Sequence, residues 1–272
     1  MFEDVDVAVS RTHAAYKDTE EVREIEALYL DMIAAARRFI YFENQYFTSA
    51  RIAACLAARM EEPDPPEIVL VMPRTAEGWL EQVAMDAARL KLMAAIGHKD
   101  KGNRFRIYVP VTAGKQDIYV HAKVAIVDDR LLRVGSSNLN NRSMGLDSEC
   151  DVTIDAALPA NRDTGAAITT LRHRLLAEHL GCSPEQFAEA ERQETSMVGA
   201  IEALRGEGKT LELLDMESLG ATQEFIAANE LLDPESADAM LDPIARRGLA
   251  KSWARGREMM GRRFPRHQSK AS

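Results

Sequence analysis

One stretch of the chain has residue types and spacing suited to covalent chemistry. It reads H-x-K-x4-D-x6-G-S-x-N through His121, Lys123, Asp128, Gly135, Ser136 and Asn138. Residues i and i+2 of a strand share a face, so a strand over 119–127 places His121 and Lys123 side by side. Asp128–Asp129–Arg130 reads as a tight turn and Leu131 to Val134 as the returning strand, with Gly135 to Asn138 closing the hairpin. A Gly-Ser stretch beside a His/Lys pair allows close backbone approach and supplies hydroxyl and amide donors. This set suits an anionic substrate. Lys123 and Asn138 can hold nonbridging phosphate oxygens, and His121 can act as nucleophile or proton donor. Fixed donors aimed at developing charge are usually the largest catalytic contribution.

The full run resembles the signature motif of the phospholipase D superfamily, with every position met. A second stretch, IYFENQYFTS from Ile40 to Ser49, is similar to the segment that opens the second half of two-motif enzymes of that superfamily. The resemblance covers roughly residues 5–180 and points to the C-terminal half of a two-motif bacterial enzyme. It implies a mechanism without metal or cofactor. One motif's histidine attacks phosphorus and forms a phosphohistidine; a second motif's histidine protonates the leaving alcohol and then activates water or an acceptor alcohol. It places His121, Lys123, Asp128 and Glu149 in the catalytic set. Asp128 is there largely structural, fixing the hairpin, and Glu149 orients an active-site imidazole. Gly135, Ser136 and Asn138 belong to the substrate cradle, with Glu43 and Gln45 near the site mouth.

The chemistry needs two such histidines. His13, His98, His173, His179 and His267 lack Lys at i+2 and Asp at i+7, and are read as surface or structural. The second motif therefore comes from an N-terminal half, covalent or separate, or from a homodimer partner, as in single-motif nucleases of the superfamily. The ENQYF segment favours the half-enzyme, as does a start at Met1 without a leading strand-helix unit.

The elements that must position these residues alternate along the chain. Helical spacing of Val22, Ile25, Leu28, Met32 and Ile33 predicts a helix over Glu21–Arg38. A strand is expected over Phe39–Phe47, a helix over Ser49–Met60, and a break at the prolines of Glu61–Glu67. Ile68–Pro73 reads as a strand covered on both faces. Further elements are a helix over Gly78–Ile96, strands over Arg104–Val111 and Cys150–Ala156, and a helix over Thr164–Leu180 stopped by Gly181. This order predicts an α/β fold, a phospholipase D-type α/β/α sandwich with a mixed central sheet flanked by helices, over 1–183. Residues 184–272 read as a helical C-terminal extension with no sheet.

Composition narrows the partners. With 34 Lys and Arg against 43 Asp and Glu, the net charge is −9, which argues against indiscriminate nucleic-acid binding. Cys55, Cys150 and Cys182 are three, far apart, and form no CxxC pair; they read as thiols in a reducing compartment. No apolar stretch is long enough to span a bilayer, and the acidic start lacks signal-peptide order. A cytoplasmic or peripheral membrane location follows for this chain, while the resemblance leaves a secreted full-length enzyme open. GEGKT (Gly206 to Thr210) ends like a phosphate-binding P-loop, but Ala203 stands where the first glycine belongs, so it reads as a polar break. From Arg246 to Lys270 nine basic residues face Glu258 alone, with Leu249, Trp253, Met260 and Phe264 near one helical face. Such a helix either lies on an anionic membrane or packs its apolar stripe on the domain.

The expected function is phospholipase D-type hydrolysis or transfer at phospholipid phosphodiesters through a phosphohistidine. The alternatives are a cardiolipin synthase-like transferase, a homodimeric nuclease of the same motif, and a non-catalytic half-domain.

Overall fold

The computed structural model describes residues 2–74, 93 and 96–214. The strands are β1 (Ala8–His13), β2 (Val22–Arg23), β3 (Phe39–Glu43), β4 (Glu67–Val71), β5 (Phe105–Val111), β6 (Val124–Val127), β7 (Leu131–Gly135), β8 (Glu149–Asp155) and β9 (Thr210–Leu213). They form one sheet in the order β2-β1-β8-β7-β6-β3-β4-β5-β9. β3, β4 and β5 run parallel to one another and the remaining neighbours are antiparallel, so the sheet is mixed. The parallel strands carry the continuous apolar runs because helices cover both their faces.

On one face, α1 (Glu24–Ala35) and α2 (Ala50–Met60) bury Ile25, Tyr29, Ile33, Ile52 and Leu56 against Ile40, Phe42, Ile68 and Leu70. On the other, α4 (Gly165–Leu180), α5 (Pro184–Glu194) and α6 (Met197–Leu204) bury Ile168, Leu176, Phe187 and Ile201 against Tyr41, Val69, Tyr108 and Ile126. A short helix α3 (Asn141–Gly145) follows β7. The α/β/α sandwich expected from the sequence is the observed architecture. The helix ends follow their local chemistry: Ser49 caps α2, Ser183 forms a capping box on α5, and α4 stops at Gly181 with φ +66°.

Three expectations need correction. The extension from 184 is not free of sheet: β9 pairs antiparallel with β5, Thr210 opposite Val111, and α5 and α6 share the core of α4. Residues 184–214 thus contribute to the sheet and core of the sandwich. A leading strand also exists: β1 pairs with β8 from Ala8 opposite Thr153 to Thr12 opposite Glu149. Finally, the strand expected over 119–127 begins only at Val124, and that over Phe39–Phe47 ends at Glu43. Of the GEGKT stretch, Gly206–Lys209 form the loop from α6, as a polar break would, and Thr210 opens β9. Most of the predicted helix Gly78–Ile96 and the whole basic stretch Arg246–Lys270 lie outside the described residues.

Candidate active site at one end of the sheet

The antiparallel pairings bring four strand ends together. Val124 at the start of β6 lies opposite Glu43 at the end of β3 and Val134 near the end of β7, while Gly135 lies opposite Asp151 near the start of β8. The motif turns back through a three-residue loop, Asp128–Arg130, whose first two residues have φ of 54° and 55° and whose Arg130 amide donates to the Val127 carbonyl at 2.9 Å. Two successive residues at positive φ make the tight turn, and Asp tolerates that region better than most side chains.

His121 precedes β6 in an extended segment. Its ring is exposed and stacks with Tyr119, centroids 6.4 Å apart at 20°. Lys123 points inward and is only 9% exposed. Its Nζ donates to the His121 carbonyl and to Gln45 Oε1, both at 3.0 Å. Gln45 Nε2 donates in turn to the hydroxyls of Tyr119 (2.6 Å) and Tyr46 (3.1 Å). Gln45 thus ties the segment after β3 to Lys123 and to Tyr119, the ring stacked on His121. Burial pushes the Lys123 amine below the usual lysine value; the Glu149 carboxylate opposes that shift and the Arg133 guanidinium adds to it.

The loop after β7 forms the other wall. Gly135 passes so close to β8 that a Cβ there would stand 2.6 Å from Asp151 Cα. Ser136 accepts from the Cys150 amide at 3.1 Å and donates to Glu149. Ser143 Oγ donates to Glu149 Oε1 at 2.7 Å and accepts from the Asn138 amide at 3.0 Å. The Glu149 carboxylate is therefore held by two serines, where the resemblance implied an imidazole. Among the described residues the Asn138 side-chain oxygen is buried without a hydrogen-bond partner.

Two expected site residues are placed elsewhere. Glu43 is not at the mouth. The residue is 3% exposed and its carboxylate is turned toward α4, accepting from Tyr41 OH at 2.5 Å and standing 3.2 Å from His179 Nε2. Period-two alternation explains this, since Phe39, Tyr41 and Glu43 share the face that α4 covers. Asp128 does not sit with the catalytic set. Its carboxylate accepts the backbone amides of Arg37 (2.7 Å), Arg38 (2.8 Å) and Phe39 (2.9 Å) at the far end of the sheet.

Several positioning residues escaped the sequence reading. Buried Asn44 accepts from the Leu139 amide at 3.0 Å, and the Thr48 and Ser49 amides donate to the Leu139 carbonyl, so the ENQYF segment wraps the motif's last loop. Arg133 and Asp151 form a fully buried ion pair beneath that loop. The available signals were a lone arginine in an apolar strand and an aspartate in the alternating run Cys150–Ala156.

Comparison with known proteins agrees with this arrangement. The Phospholipase D family model matches residues 93–216, a span that contains the whole motif. A Phospholipase D of Phytophthora infestans is 27% identical over 217 residues, covering 61% of this chain and 12% of that protein. Phospholipase D alpha 1 of Carica papaya is 25% identical over 245 residues, covering 65% of this chain and 30% of that protein. The chain thus spans less than a third of the length of these curated relatives. Among solved structures, a phosphatidylserine synthase of Haemophilus influenzae Rd KW20 superposes with a TM-score of 0.53 at 13% identity, over 90% of this chain and 47% of that one; it shares the fold. The family model and the curated relatives place the segment that carries the motif, residues 93–216, in the phospholipase D superfamily, and the mixed sheet with its flanking helices is the fold shared with the synthase.

Proposed function

We propose that this chain supplies one catalytic half of a site that breaks phospholipid phosphodiester bonds through His121. The observation that carries the reading is the contrast between neighbours: the His121 ring is exposed at the rim while the Lys123 ammonium is buried behind it and held by Gln45. An exposed imidazole can reach a phosphorus atom, and a fixed cation next to it favours the charge that builds on the phosphoryl oxygens. The names of the matched relatives support a phospholipid as the substrate.

As nucleophile, His121 gives a nitrogen lone pair to phosphorus, and the P–N bond forms as the P–O bond to the leaving alcohol breaks. A second motif's histidine hands its proton to the departing oxygen. That histidine then takes a proton from water, the water oxygen attacks phosphorus, and the P–N bond breaks. An acceptor alcohol in place of water gives transfer by the same route. If the second histidine is the nucleophile, His121 is the proton carrier; either role requires its ring.

The test is choline release from phosphatidylcholine vesicles, with His121→Ala as control. Release that disappears in the variant supports the reading, and release equal in both forms removes it. Activity of the chain alone assigns the second histidine to another copy. Activity appearing only when an N-terminal half with its own motif is added assigns it to that half. A soluble phosphocholine diester run in parallel separates the chemistry from vesicle binding.

A further inference from the structure

We propose that Arg133 is a positioning residue that, with Asp151, locks the two arms of the phosphate cradle together. The inference rests on the reading above that Lys123 and Asn138 receive the phosphoryl group.

Arg133 is the third residue of β7 and is completely buried, as is Asp151 on β8. Its Nε donates to Asp151 Oδ2 at 2.7 Å, and its Nη2 pairs with the same carboxylate. Nη1 donates to the Lys123 carbonyl at 3.0 Å and Nη2 to the Ser137 carbonyl at 3.2 Å and to Ser137 Oγ. Asp151 completes the circuit by accepting from the Ser137 amide at 3.2 Å and from Ser137 Oγ at 2.7 Å. The Tyr29 ring lies 4.9 Å from the guanidinium carbon. One side chain thus fastens the backbone of Lys123, before β6, to the turn that carries Ser136, Ser137 and Asn138.

Stability alone is a poor reason for this pair. Apolar residues of similar volume often replace buried ion pairs at no loss, and β7 already carries leucines on either face. An apolar side chain would fill the space but take the arginine donors away from the Lys123 and Ser137 carbonyls, leaving the first with the Gly135 amide alone at 3.3 Å. The rigid five-donor fork of arginine reaches all of them at once, which a lysine ammonium cannot do. Fixing this geometry matters because misplacement by about 1 Å can cost about 100-fold in rate.

The experiment uses the full chain, with tungstate as a phosphoryl mimic measured by titration calorimetry. Thermal unfolding and the KM and kcat of choline release are followed in parallel. Arg133→Lys keeps a charge for Asp151 but not the fork; Arg133→Met with Asp151→Leu removes both charges. The expected result is folded variants that bind tungstate about tenfold or more weakly and lose kcat more than they raise KM. Folded variants with wild-type affinity and turnover overturn the proposal. Unfolding of both variants also overturns it, by making Arg133 a stability residue. Wild-type protein that binds no tungstate strikes the cradle reading itself, before any variant is compared.

Discussion

His121 and Asp128 belong to one motif, yet they stand at opposite ends of strand β6. Six residues separate them, Ala122–Val127, of which Val124–Val127 are about 13 Å of strand. His121 faces solvent at one end, while Asp128 accepts three backbone amides from Arg37, Arg38 and Phe39 at the other. The aspartate serves the site by joining the α1–β3 connection to the β6–β7 hairpin, which sets the height of β6 against β3.

Replacing Asp128 with alanine should therefore cost stability before it touches chemistry. Three amides lose a charged acceptor, and a Cβ-bearing residue without a local hydrogen bond is left at φ 54°. Together these cost about 3 kcal/mol. Asp128→Asn keeps an acceptor and tolerates the left-handed region, so it should recover more than half of the loss. Urea unfolding of the three forms measures this; equal midpoints for alanine and wild type would remove the anchoring role.

Gly135→Ala should be destabilising for a different reason. The backbone conformation accepts alanine, but its Cβ would lie 2.6 Å from Asp151 Cα, an atom that cannot swing away. Strands β7 and β8 would have to part, at a cost of about 1–3 kcal/mol. The expected signature is a lower unfolding midpoint together with faster amide exchange at Gly135 and Ser136. Unchanged exchange there, in a folded variant, would show that the strands do not approach as described.

The sequence disclosed the parts of this fold that periodicity and spacing encode, and missed the parts created by pairing. The apolar runs read at 39–47, 68–73 and 104–111 announce central strands, observed at 39–43, 67–71 and 105–111, and the stripe Ile25–Ile33 announces α1. Strand β9 is four residues of TLEL, and only β5, about a hundred residues earlier in the chain, makes it a strand. β1 is largely polar and owes its existence to β8. At the site, spacing singles out His121, Lys123 and Asn138 as candidates. It is silent on Arg133, because a single charge in a strand reads as solvent-facing until its partner is known. That partner, Asp151, sits diagonally across the ladder, with Gly135 opposite Asp151 and Arg133 opposite Thr153.

A second ion cluster, which ties the motif's hairpin turn to α4 and α5, should control the acid limb of stability. Arg172 on α4 is bound by Asp129 of the hairpin turn and by Glu191 of α5, and His173 stands 2.8 Å from the same glutamate. Burial alone would raise the Glu191 carboxyl, but hydrogen bonds from His173 and Arg172 hold it at about 2, below the ordinary 4.5. A depressed carboxylate stabilises the fold above its unfolded value and loses that contribution as pH falls from about 4.5 to 2. The difference corresponds to about 3 kcal/mol. Glu191→Gln should lower stability at neutral pH and flatten its decline in that window. Chemical unfolding at closely spaced pH values would reveal a parallel, undiminished acid limb if the cluster were idle.

Lys123 and Gln45 set the alkaline side of the proposed activity. The buried ammonium titrates below the ordinary 10.5 because burial disfavours its charge, and among the described residues Gln45 Oε1 is the side-chain acceptor bonded to it. Only the protonated amine attracts phosphoryl oxygens, so kcat/KM should fall with rising pH at a point below 10.5. Gln45→Leu removes the acceptor while leaving the site buried. Burial then acts with less opposition, and both the amine titration and the alkaline limb should move to lower pH together. Nitrogen-detected NMR of the lysine side chains follows the first and the pH dependence of choline release the second. A Lys123 amine that titrates with the exposed lysines, or an alkaline limb that stays in place when the amine shifts, would separate this lysine from phosphate binding.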